Sequence, residues 1–265
     1  MITSAQNPKV KLARALLGRA KERRQAGAFI AEGVRLVEEA LIADWPFRFA
    51  LAGETIGKRG EAIVTDLQAR RIEVERISDE LLHSISETKT SQGILAVLEL
   101  VSLPCPPSLN FVLILDQVRD PGNLGTLLRT AAATGVQAVF LPPETTDAFA
   151  PKAVRAGMGA HFRLPILALP WEAIRQTCAQ ADLHIWLADM DGLSCWQADL
   201  CQPLALIIGG EAEGASPPAR DLADHKISIP MPGRIESLNA AVAGSVLMFE
   251  IVRQRTIGTT SNRHT

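Results

Sequence analysis

Short segments made only of apolar residues are the feature that most limits how this chain can fold. Two of them, residues 111–115 and 205–208, contain no polar side chain. A strand of this kind must be buried on both faces, as in a parallel sheet covered by helices. Further candidate strands lie at 138–141, 184–188 and 226–229, and helical segments at 124–134, 152–157, 171–180 and 238–254 alternate with them. The alternation predicts an α/β domain with a mostly parallel, doubly wound sheet.

A proline-rich segment divides the chain. Residues 104–107 contain three prolines, which fit neither a helix interior nor a central strand, so we interpret residues 104–110 as a linker. Residues 1–103 are predicted to form a small layered α/β domain. Its predicted strands are 28–31, 47–52, 73–77 and 93–98, and its predicted helices are 8–26, 33–43, 61–70 and one that starts at Ser78. Residues 111–257 form the second domain, and the polar residues 258–265 are predicted to be a disordered tail.

The composition excludes several classes of protein. No apolar run approaches the roughly 18 residues of a membrane-spanning helix, and the basic N-terminus lacks the apolar core of a secretory signal. The four cysteines form no C-x-x-C pair and show no zinc-type spacing with histidine. We therefore expect reduced thiols, no metal ion and a cytoplasmic location.

Basic residues are concentrated at the N-terminus, although the net charge of the chain is only −2. Residues 1–26 carry seven lysines and arginines against a single acid, Glu22. Such a segment suits contact with a phosphate backbone, and a solvated basic helix is the alternative interpretation. The absence of tyrosine and the scarcity of other aromatic residues predict no stacking platform for single-stranded bases. The candidate nucleic-acid contacts are Lys9, Lys11, Arg14, Arg23 and Arg24.

The first polar motif follows strand 111–115. A Pro-Gly turn precedes Asn123, which is placed to cap a helix. An apolar stripe at residues 124, 127, 128, 131 and 132 forms the core face of that helix. Arg129 lies about 140° from Leu124 around the helix and is therefore off the stripe. It is either an ordinary solvated arginine or a guanidinium directed toward the strand-end loops.

The second polar motif follows strand 205–208. Gly209, Gly210 and Gly214 allow the backbone to come close to a ligand or to another loop. Their spacing matches neither the dinucleotide-binding fingerprint nor the phosphate-binding P-loop. Glu211, beside them, is either a turn carboxylate or a group that orients neighbouring backbone and side chains.

The third polar motif follows strand 226–229. Pro230 and Pro232 stiffen the loop, and Ser237 and Asn239, which are both typical capping residues, open a long helix. Nearly every face of that helix is apolar. A helix of this kind needs burial on both sides, so we expect one side to pack on the sheet and the other on a second copy of the chain.

Taken together and in this order, the three motifs resemble those of the SpoU/TrmH family of the SPOUT methyltransferases. The matching patterns are N-x-G-x3-R, G-x-E-x-x-G, and I-P-M followed by S-L-N, all within residues 111–255. Residues 29–40 and 88–96 are similar, less specifically, to the L30e-like RNA-binding domain that precedes the catalytic domain in many of these enzymes. For the fold, the resemblance implies an L30e-like domain at 1–103 and a SPOUT domain at 111–257. It also implies a C-terminal trefoil knot, an exception to the rule that chains do not thread loops.

For the activity, the resemblance implies methylation of a ribose 2′-hydroxyl in RNA with S-adenosylmethionine as cofactor. The two-domain layout favours 23S-type ribosomal RNA, and transfer RNA is the alternative. A non-catalytic RNA-binding protein on the same scaffold is a further alternative, which the complete set of motif residues disfavours. A nucleotide-binding oxidoreductase is disfavoured because no G-x-G-x-x-G follows the first strand of the second domain. The motifs do not identify the methylated nucleotide.

For the site, the resemblance implies contacts to the cofactor and a set of functional polar residues. The cofactor contacts are Leu187, Ala188, Gly209, Ile229, Met231 and Leu238. The functional polar residues are Asn123, Arg129, Glu211, Ser237 and Asn239. In the first domain, Lys89 and Gln92 join the basic residues as candidate RNA contacts.

Arg129 is expected to have the central chemical role. An arginine stays protonated in neutral water, so it is a poor base but a good stabiliser of a developing alkoxide and a bidentate partner for a phosphate. The proton acceptor is left open between that phosphate, water and a transiently neutral arginine. Asn123 and Asn239 would orient the substrate or that arginine. Ser237 would hydrogen-bond within the knot, and Glu211 would fix the geometry of its loop.

Overall fold

The chain folds into two compact units. The structure, a computed structural model, describes residues 1–86, 92–210, 214–233 and 237–261. The first unit contains Met1–Val101 and Asp147–Arg163, and the second contains Ser102–Thr146 and Leu164–Thr265. The two units are therefore not consecutive stretches of sequence.

A four-stranded sheet forms the centre of the first unit. The elements up to residue 101 are α1 (Pro8–Gly18), α2 (Ala20–Ala26), β1 (Ala28–Glu32), α3 (Val34–Ile42), β2 (Phe47–Ala52), α4 (Lys58–Ala69), β3 (Val74–Arg76), α5 (Asp79–Ile85) and β4 (Ile94–Glu99). The sheet order is β1-β4-β2-β3, with β4 antiparallel to β1 and β2, and β3 parallel to β2. All four predicted strands of this part of the chain are confirmed.

The predicted helix over residues 8–26 is wrong, because the structure has two helices there. Arg19 adopts an extended conformation between them (φ −95°, ψ 142°). It follows Gly18, and glycine weakens a helix because it has the largest backbone entropy to lose. The second helix, α2, buries the side chain of Arg23. The basic segment is therefore not one continuous solvated helix.

A six-stranded sheet forms the centre of the second unit. In chain order the remaining elements are β5 (Phe111–Leu115), α6 (Pro121–Ala133), β6 (Ala138–Leu141), α7 (Pro151–Gly157), β7 (Ile166–Ala168), α8 (Trp171–Gln180), β8 (His184–Ser194), β9 (Leu204–Ile208), α9 (Pro217–Leu222), β10 (His225–Ser228) and α10 (Ala240–Ser261). The sheet order is β10-β8-β9-β5-β6-β7, and all its pairings are parallel. These pairings confirm the predicted parallel sheet. As expected for such a sheet, β5 and β9 are buried along their whole length.

The ends of several elements differ from the prediction. The short elements β7 and α9 were not predicted, and β8 extends to Ser194 instead of ending at residue 188. The last helix, α10, continues to Ser261. Residues 258–261 of the predicted disordered tail are therefore helical, and residues 262–265 lie outside the described residues.

The segment Asp147–Arg163 belongs to the first unit, so the predicted second domain over residues 111–257 is not continuous. Its aromatic rings join those of the N-terminal part of the chain. The ring centroids of Phe149 and Phe29 are 4.9 Å apart, and those of Phe162 and Trp45 are 5.3 Å apart. Burying these aromatic side chains against one another removes a large apolar area from water, which stabilises the segment as part of the first unit.

The three polar motifs lie at one edge of the second sheet. Because the strands of this sheet are parallel, their carboxyl ends face the same side, which is where open α/β sheets bind ligands. The motifs follow β5, β9 and β10, and the carboxyl end of β8 lies between those of β9 and β10. We refer to the residues that follow these four strands as the strand-end edge.

Candidate active site

A buried carboxylate connects the first and second motifs. Asp116, directly after β5, is completely buried and accepts hydrogen bonds from Ser216 N at 2.6 Å and Ser216 Oγ at 3.1 Å. The Ser216 hydroxyl also caps α9 by accepting from Ala219 N at 3.4 Å. A buried carboxylate with two donors is stable, and losing either donor would leave a costly unpaired group. Asp116 therefore fixes the loop after β9 to the end of β5.

The glycines of the second motif allow this close packing. A Cβ on Gly209 would lie 2.7 Å from Ala215 N, and one on Gly210 would lie 2.6 Å from Gln117 O. Real Cβ atoms do not come this close to backbone atoms, so only glycine fits at either position. Gly210 also pairs with Gly214 in an isolated antiparallel bridge. The predicted residue Glu211 lies outside the described residues.

Asn123 does not cap its helix, contrary to the prediction. The N-cap of α6 is Asp120, whose carboxylate accepts from Asn123 N at 2.9 Å, and Pro121 takes the first helical position. Proline is favoured there because its ring presets the helical φ and its missing N–H has no partner to lose. Asp120, and not Asn123, therefore caps the start of α6.

A hydrogen bond joins the first and third motifs. Asn239 Nδ2 donates to Asn123 Oδ1 at 3.2 Å. The Asn239 side-chain oxygen Oδ1 accepts from Ala241 N at 2.9 Å and from Val242 N at 3.3 Å, which caps the start of α10. The Asn239 side chain therefore caps α10, as its residue type predicted, and also contacts the first motif.

Arg129 lies on the exposed side of α6. The opposite side of this helix packs against α10, where the side chains of Thr130 and Ser245 are 3.0 Å apart. At this contact a Cβ on Gly244 would lie only 2.5 Å from the Leu127 side chain. Among the described residues, none forms a hydrogen bond or ion pair with the Arg129 guanidinium. A fixed helix therefore presents a cation with no partner inside the described protein.

The predicted cofactor contacts lie within β8 and in the segments that follow β9 and β10. Leu187 is buried in β8, paired with Ile207 of β9 and Lys226 of β10. Ala188 is half-buried within β8, and Gly209 and Ile229 are half-buried directly after β9 and β10. Met231, in the loop after β10, is also half-buried, and Leu238 is exposed. Backbone groups beside accessible apolar side chains suit a nucleoside, which has an apolar ring with hydrogen-bonding edges.

Ser237 is exposed in the described structure. It precedes Leu238 and Asn239 in the third motif, so it lies at the strand-end edge. Residues 234–236, immediately before it, lie outside the described residues. The described contacts therefore give no partner for the Ser237 hydroxyl, and its role stays a prediction.

The structure removes Arg23 from the predicted RNA contacts. Its side chain is only 4% exposed, its Nε and Nη2 each lie 2.8 Å from Asp147 Oδ2, and its Nη1 donates to Leu16 O at 2.7 Å. Helical periodicity could not show this, because the break at Arg19 changes which face of the segment is buried. Arg23 stabilises the fold and is not available to a ligand.

The other predicted RNA contacts that the structure describes remain accessible to different degrees. Lys9 forms ion pairs with Glu73 and Glu75; burial alone would lower the pKa of Lys9, but its hydrogen bonds to the two carboxylates raise it. Gln92 caps α3, where its Oε1 accepts from Val34 N at 3.0 Å. Lys11, Arg14 and Arg24 are exposed, and Lys89 lies outside the described residues.

Neither a membrane span nor a cluster of metal ligands was found in the part of the chain that the structure describes. There, each helix is too short or too polar to cross a bilayer. In the same ranges, no group of three or more His, Cys, Asp or Glu side chains could hold a metal ion.

Fold and site together define a class of protein: an α/β protein that collects three glycine-rich or polar loops at the carboxyl edge of a parallel sheet. Residues 110–249 match the SpoU rRNA Methylase family, and residues 7–96 match the MRM3-like substrate binding domain. The chain belongs to the SpoU rRNA methylase family. The family resemblance predicted from the three motifs is confirmed.

Relatives of known name match nearly the whole chain. The 23S rRNA (guanosine(2553)-2′-O)-methyltransferase RlmP of Bacillus subtilis is 34% identical over 94% of this chain and 98% of the relative. The 23S rRNA (uridine(2479)-2′-O)-methyltransferase of Streptomyces viridochromogenes is 30% identical over 97% of this chain and 94% of the relative. The crystal structure of the SpoU methyltransferase AviRb from the same organism, in complex with the cofactor AdoMet, has a TM-score of 0.84. That structure is 30% identical and covers 94% of this chain and 99% of the AviRb chain.

Proposed function

We propose that this protein transfers the methyl group of S-adenosylmethionine to a ribose 2′-hydroxyl of 23S-type ribosomal RNA. The observation that carries the proposal is the convergence of the three motifs through the Asn123–Asn239 and Asp116–Ser216 hydrogen bonds, with Arg129, which has no partner among the described residues, on the helix of the first motif. The names of the relatives support the same reaction. Ribosomal RNA is favoured over transfer RNA because these relatives, which match over almost their full length, are 23S rRNA enzymes.

S-adenosylmethionine would be held by the middle of β8 and by the loops after β9 and β10. The backbone at Ala188, Gly209 and Ile229 offers donors and acceptors to a nucleoside, and the side chains of Met231 and Leu238 offer apolar contact. When bound, the cofactor supplies a methyl group already activated by a positively charged sulfur, so the protein does not need to activate the electrophile. The AdoMet complex of AviRb, a similar SpoU methyltransferase, supports this choice of cofactor.

Arg129 would act on the nucleophile. The attacking 2′-oxygen loses its proton as the new bond forms, and a fixed guanidinium can stabilise the negative charge that develops there. The planar fork of an arginine also fits the adjacent phosphate in a bidentate manner, which would position the ribose. Because Arg129 has no partner among the described residues, it does not have to break an internal ion pair to bind.

Asn123 and Asn239 would orient the reacting groups. Their mutual hydrogen bond fixes the start of α6 relative to the start of α10. Ser237 would hydrogen-bond near the same point, and Glu211 would hold the glycine loop. The proton acceptor is the adjacent phosphate, water or a transiently neutral arginine, and these alternatives stay open.

The first unit would hold the RNA. Lys11, Arg14 and Arg24 are exposed cations on α1 and α2, and lysines and arginines of this kind release counterions from the RNA backbone. Lys9, Lys89 and Gln92 are further candidates, as is the L30e-like assignment of residues 1–103. The match of residues 7–96 to a substrate binding domain supports this division of labour.

We further propose a homodimer, a trefoil knot and a cytoplasmic location. Val242 and Phe249 are 49% and 56% exposed, and residues seven apart on a helix lie on nearly the same face, so α10 presents an apolar stripe that a second copy would cover. The knot is proposed from the membership of the SpoU family. Ribosomal RNA as substrate favours the cytoplasm.

The decisive test is the Arg129→Ala variant. We expect methyl transfer to a 23S rRNA fragment to fall by about 100-fold or more, the usual scale for loss of a transition-state donor. Cofactor affinity, measured by calorimetry, should change only a few-fold. Arg175→Ala is the matched control, since Arg175 is exposed on α8 and has no hydrogen bond or ion pair to a described residue. Unchanged turnover in the Arg129 variant would exclude the proposed role.

A second experiment identifies the substrate. Mass-spectrometric mapping of 2′-O-methyl groups in ribosomal and transfer RNA from a strain that lacks the protein should show one missing methyl group in 23S rRNA. A missing methyl group in transfer RNA would instead identify transfer RNA, the alternative, as the substrate. The two relatives named above methylate a guanosine and a uridine, so the target base has to be read from this map.

A further inference from the structure

A bulge interrupts the pairing of β8 with β10. Lys226 pairs with Leu187, and the next residue, Ile227, pairs with Leu193. Residues 188–192 of β8 therefore have no opposite residue in β10. Such bulges often occur next to active sites, where they redirect side chains, and this one begins at Ala188, a proposed cofactor contact. We call residues 188–192 the β8 bulge.

Backbone packing fixes one end of the β8 bulge. A Cβ on Gly192 would lie 2.4 Å from Ile227 N, so the glycine lies directly against β10. The Ser228 hydroxyl donates to Gly192 O at 2.8 Å. These contacts anchor the end of the bulge that leads away from the proposed cofactor.

Charge fixes the end that lies next to the proposed cofactor. The Asp189 carboxylate is 16% exposed, and its Oδ2 lies 3.1 Å from Lys226 Nζ and 3.3 Å from Arg220 Nη1. Its Oδ1 accepts from Asp191 N at 3.2 Å. Burial alone would raise the pKa of Asp189, but the hydrogen bond and charge of Lys226, the Asp191 amide and the charge of Arg220 lower it. The carboxylate is therefore ionised at neutral pH.

Arg220 extends this cluster to the second motif. Its Nε donates to Ala215 O at 3.1 Å, immediately after Gly214. One carboxylate thus connects the β8 bulge, β10 through Lys226, and the glycine loop after β9 through Arg220. These are the three segments that the proposed function assigns to the cofactor.

A pair of ordinary surface ion pairs is the simpler explanation, and exposed pairs contribute little to stability. The burial of the Asp189 side chain and its position directly after Ala188 argue against that explanation. We propose that Asp189 is a positioning residue that holds the three cofactor loops in their binding arrangement. This inference rests on the proposed function, because it needs the cofactor at the strand-end edge.

The test uses the full-length protein with the Asp189→Asn substitution, which keeps the shape of the side chain and removes its charge. Calorimetric titration with S-adenosylmethionine should show about tenfold weaker binding, a typical coupling between a binding site and its supporting contacts. The kcat at saturating cofactor should stay within about twofold, because Asp189 is not expected to act on the methyl transfer itself. The melting temperature of the cofactor-free protein should stay close to that of wild type.

Two further variants separate positioning from a general loss of structure. Lys226→Met should weaken cofactor binding, and Lys226→Arg should restore it, because arginine keeps the ion pair. Asp221→Asn is the control, since Asp221 is exposed on α9 beside Arg220 and forms no ion pair with a described residue. It should bind the cofactor like wild type.

The outcomes distinguish this inference from the proposed function. If wild type does not bind S-adenosylmethionine, both fall together. If wild type binds it and Asp189→Asn binds it equally well, only the role of Asp189 falls. A variant that loses melting temperature, affinity and kcat together would also overturn the role, because a positioning residue changes affinity selectively.

Discussion

Two arginines, Arg23 in the first unit and Arg129 in the second, have opposite situations. Arg23 is paired within the fold with Asp147, as Arg48 is with Glu99 and Arg163 with Glu39. In the second unit, Arg129 stands on a rigid helix with no such partner among the described residues. The difference teaches that position in a basic stretch does not identify a functional arginine in this chain, because the basic stretch contains a buried, paired arginine that serves the fold.

The largest expected effect comes from breaking the buried pair of the first unit. Arg23→Met should lower the free energy of unfolding by roughly 3 kcal/mol, because Asp147 loses its cation and Leu16 O loses its donor. Urea unfolding measures this loss, and the kcat of the folded fraction should be unchanged. Arg129→Met should show the reverse pattern, with stability kept and turnover lost. Equal stability losses in both variants would remove the distinction between the two units.

His161 should give the first unit a pH-dependent stability. Burial lowers the pKa of His161 to about 4, and among described residues its Nδ1 has no hydrogen-bond partner. In the unfolded chain the pKa is about 6.5, so the unfolded state binds a proton first as the pH falls. The contribution is fully present above about pH 6.5 and is lost as the pH falls to about 4, by up to roughly 3 kcal/mol.

Urea unfolding at pH 7 and pH 4.5 tests this linkage. The control is His161→Gln, whose amide cannot take up a proton in this range but can still donate to Ala148 O, the partner of His161 Nε2 at 2.7 Å. The variant should lose less stability on acidification than wild type. Equal losses would assign the pH dependence to other groups.

The smallest expected effect concerns the exposed cations of the first unit. Replacing Lys11, Arg14 and Arg24 together with glutamine should weaken RNA binding by about tenfold and lower the slope of log K against log salt by up to about three. A control with the same change of charge at Lys58, Arg70 and Arg71 should retain most of the affinity. If both triple variants lose affinity equally, net charge and not the α1–α2 surface determines binding.

The sequence predicted the second sheet well because its signal is local. A strand with no polar side chain, such as β5 or β9, has few other ways to be buried. The positions of the three motifs followed from that sheet, since parallel strands end on one side. The Asn123–Asn239 contact was anticipated only as an orienting role, and the structure supplies the hydrogen bond.

The parts that could not be predicted depend on contacts between residues far apart in sequence. The pairing of Arg23 with Asp147 spans 124 residues, and no periodic pattern reports such a partner. The same limit applies to Asp189, whose two cations come from different elements. Asp116 carried a signal that was not used: a carboxylate directly after a fully apolar strand is buried with it and must have donors.

Because Asp147–Arg163 belongs to the first unit, this unit has an unusual history during synthesis on the ribosome. Chains emerge from the N-terminus, and domains generally fold as units when their sequence is complete. Here the first unit is complete only when Arg163 has emerged. Until then Phe29 and Trp45 lack their partners Phe149 and Phe162. The nascent chain therefore exposes these aromatic side chains even after β5, α6 and β6 have been synthesised. During this period the exposed apolar surface is a binding site for chaperones, which the mature protein no longer has.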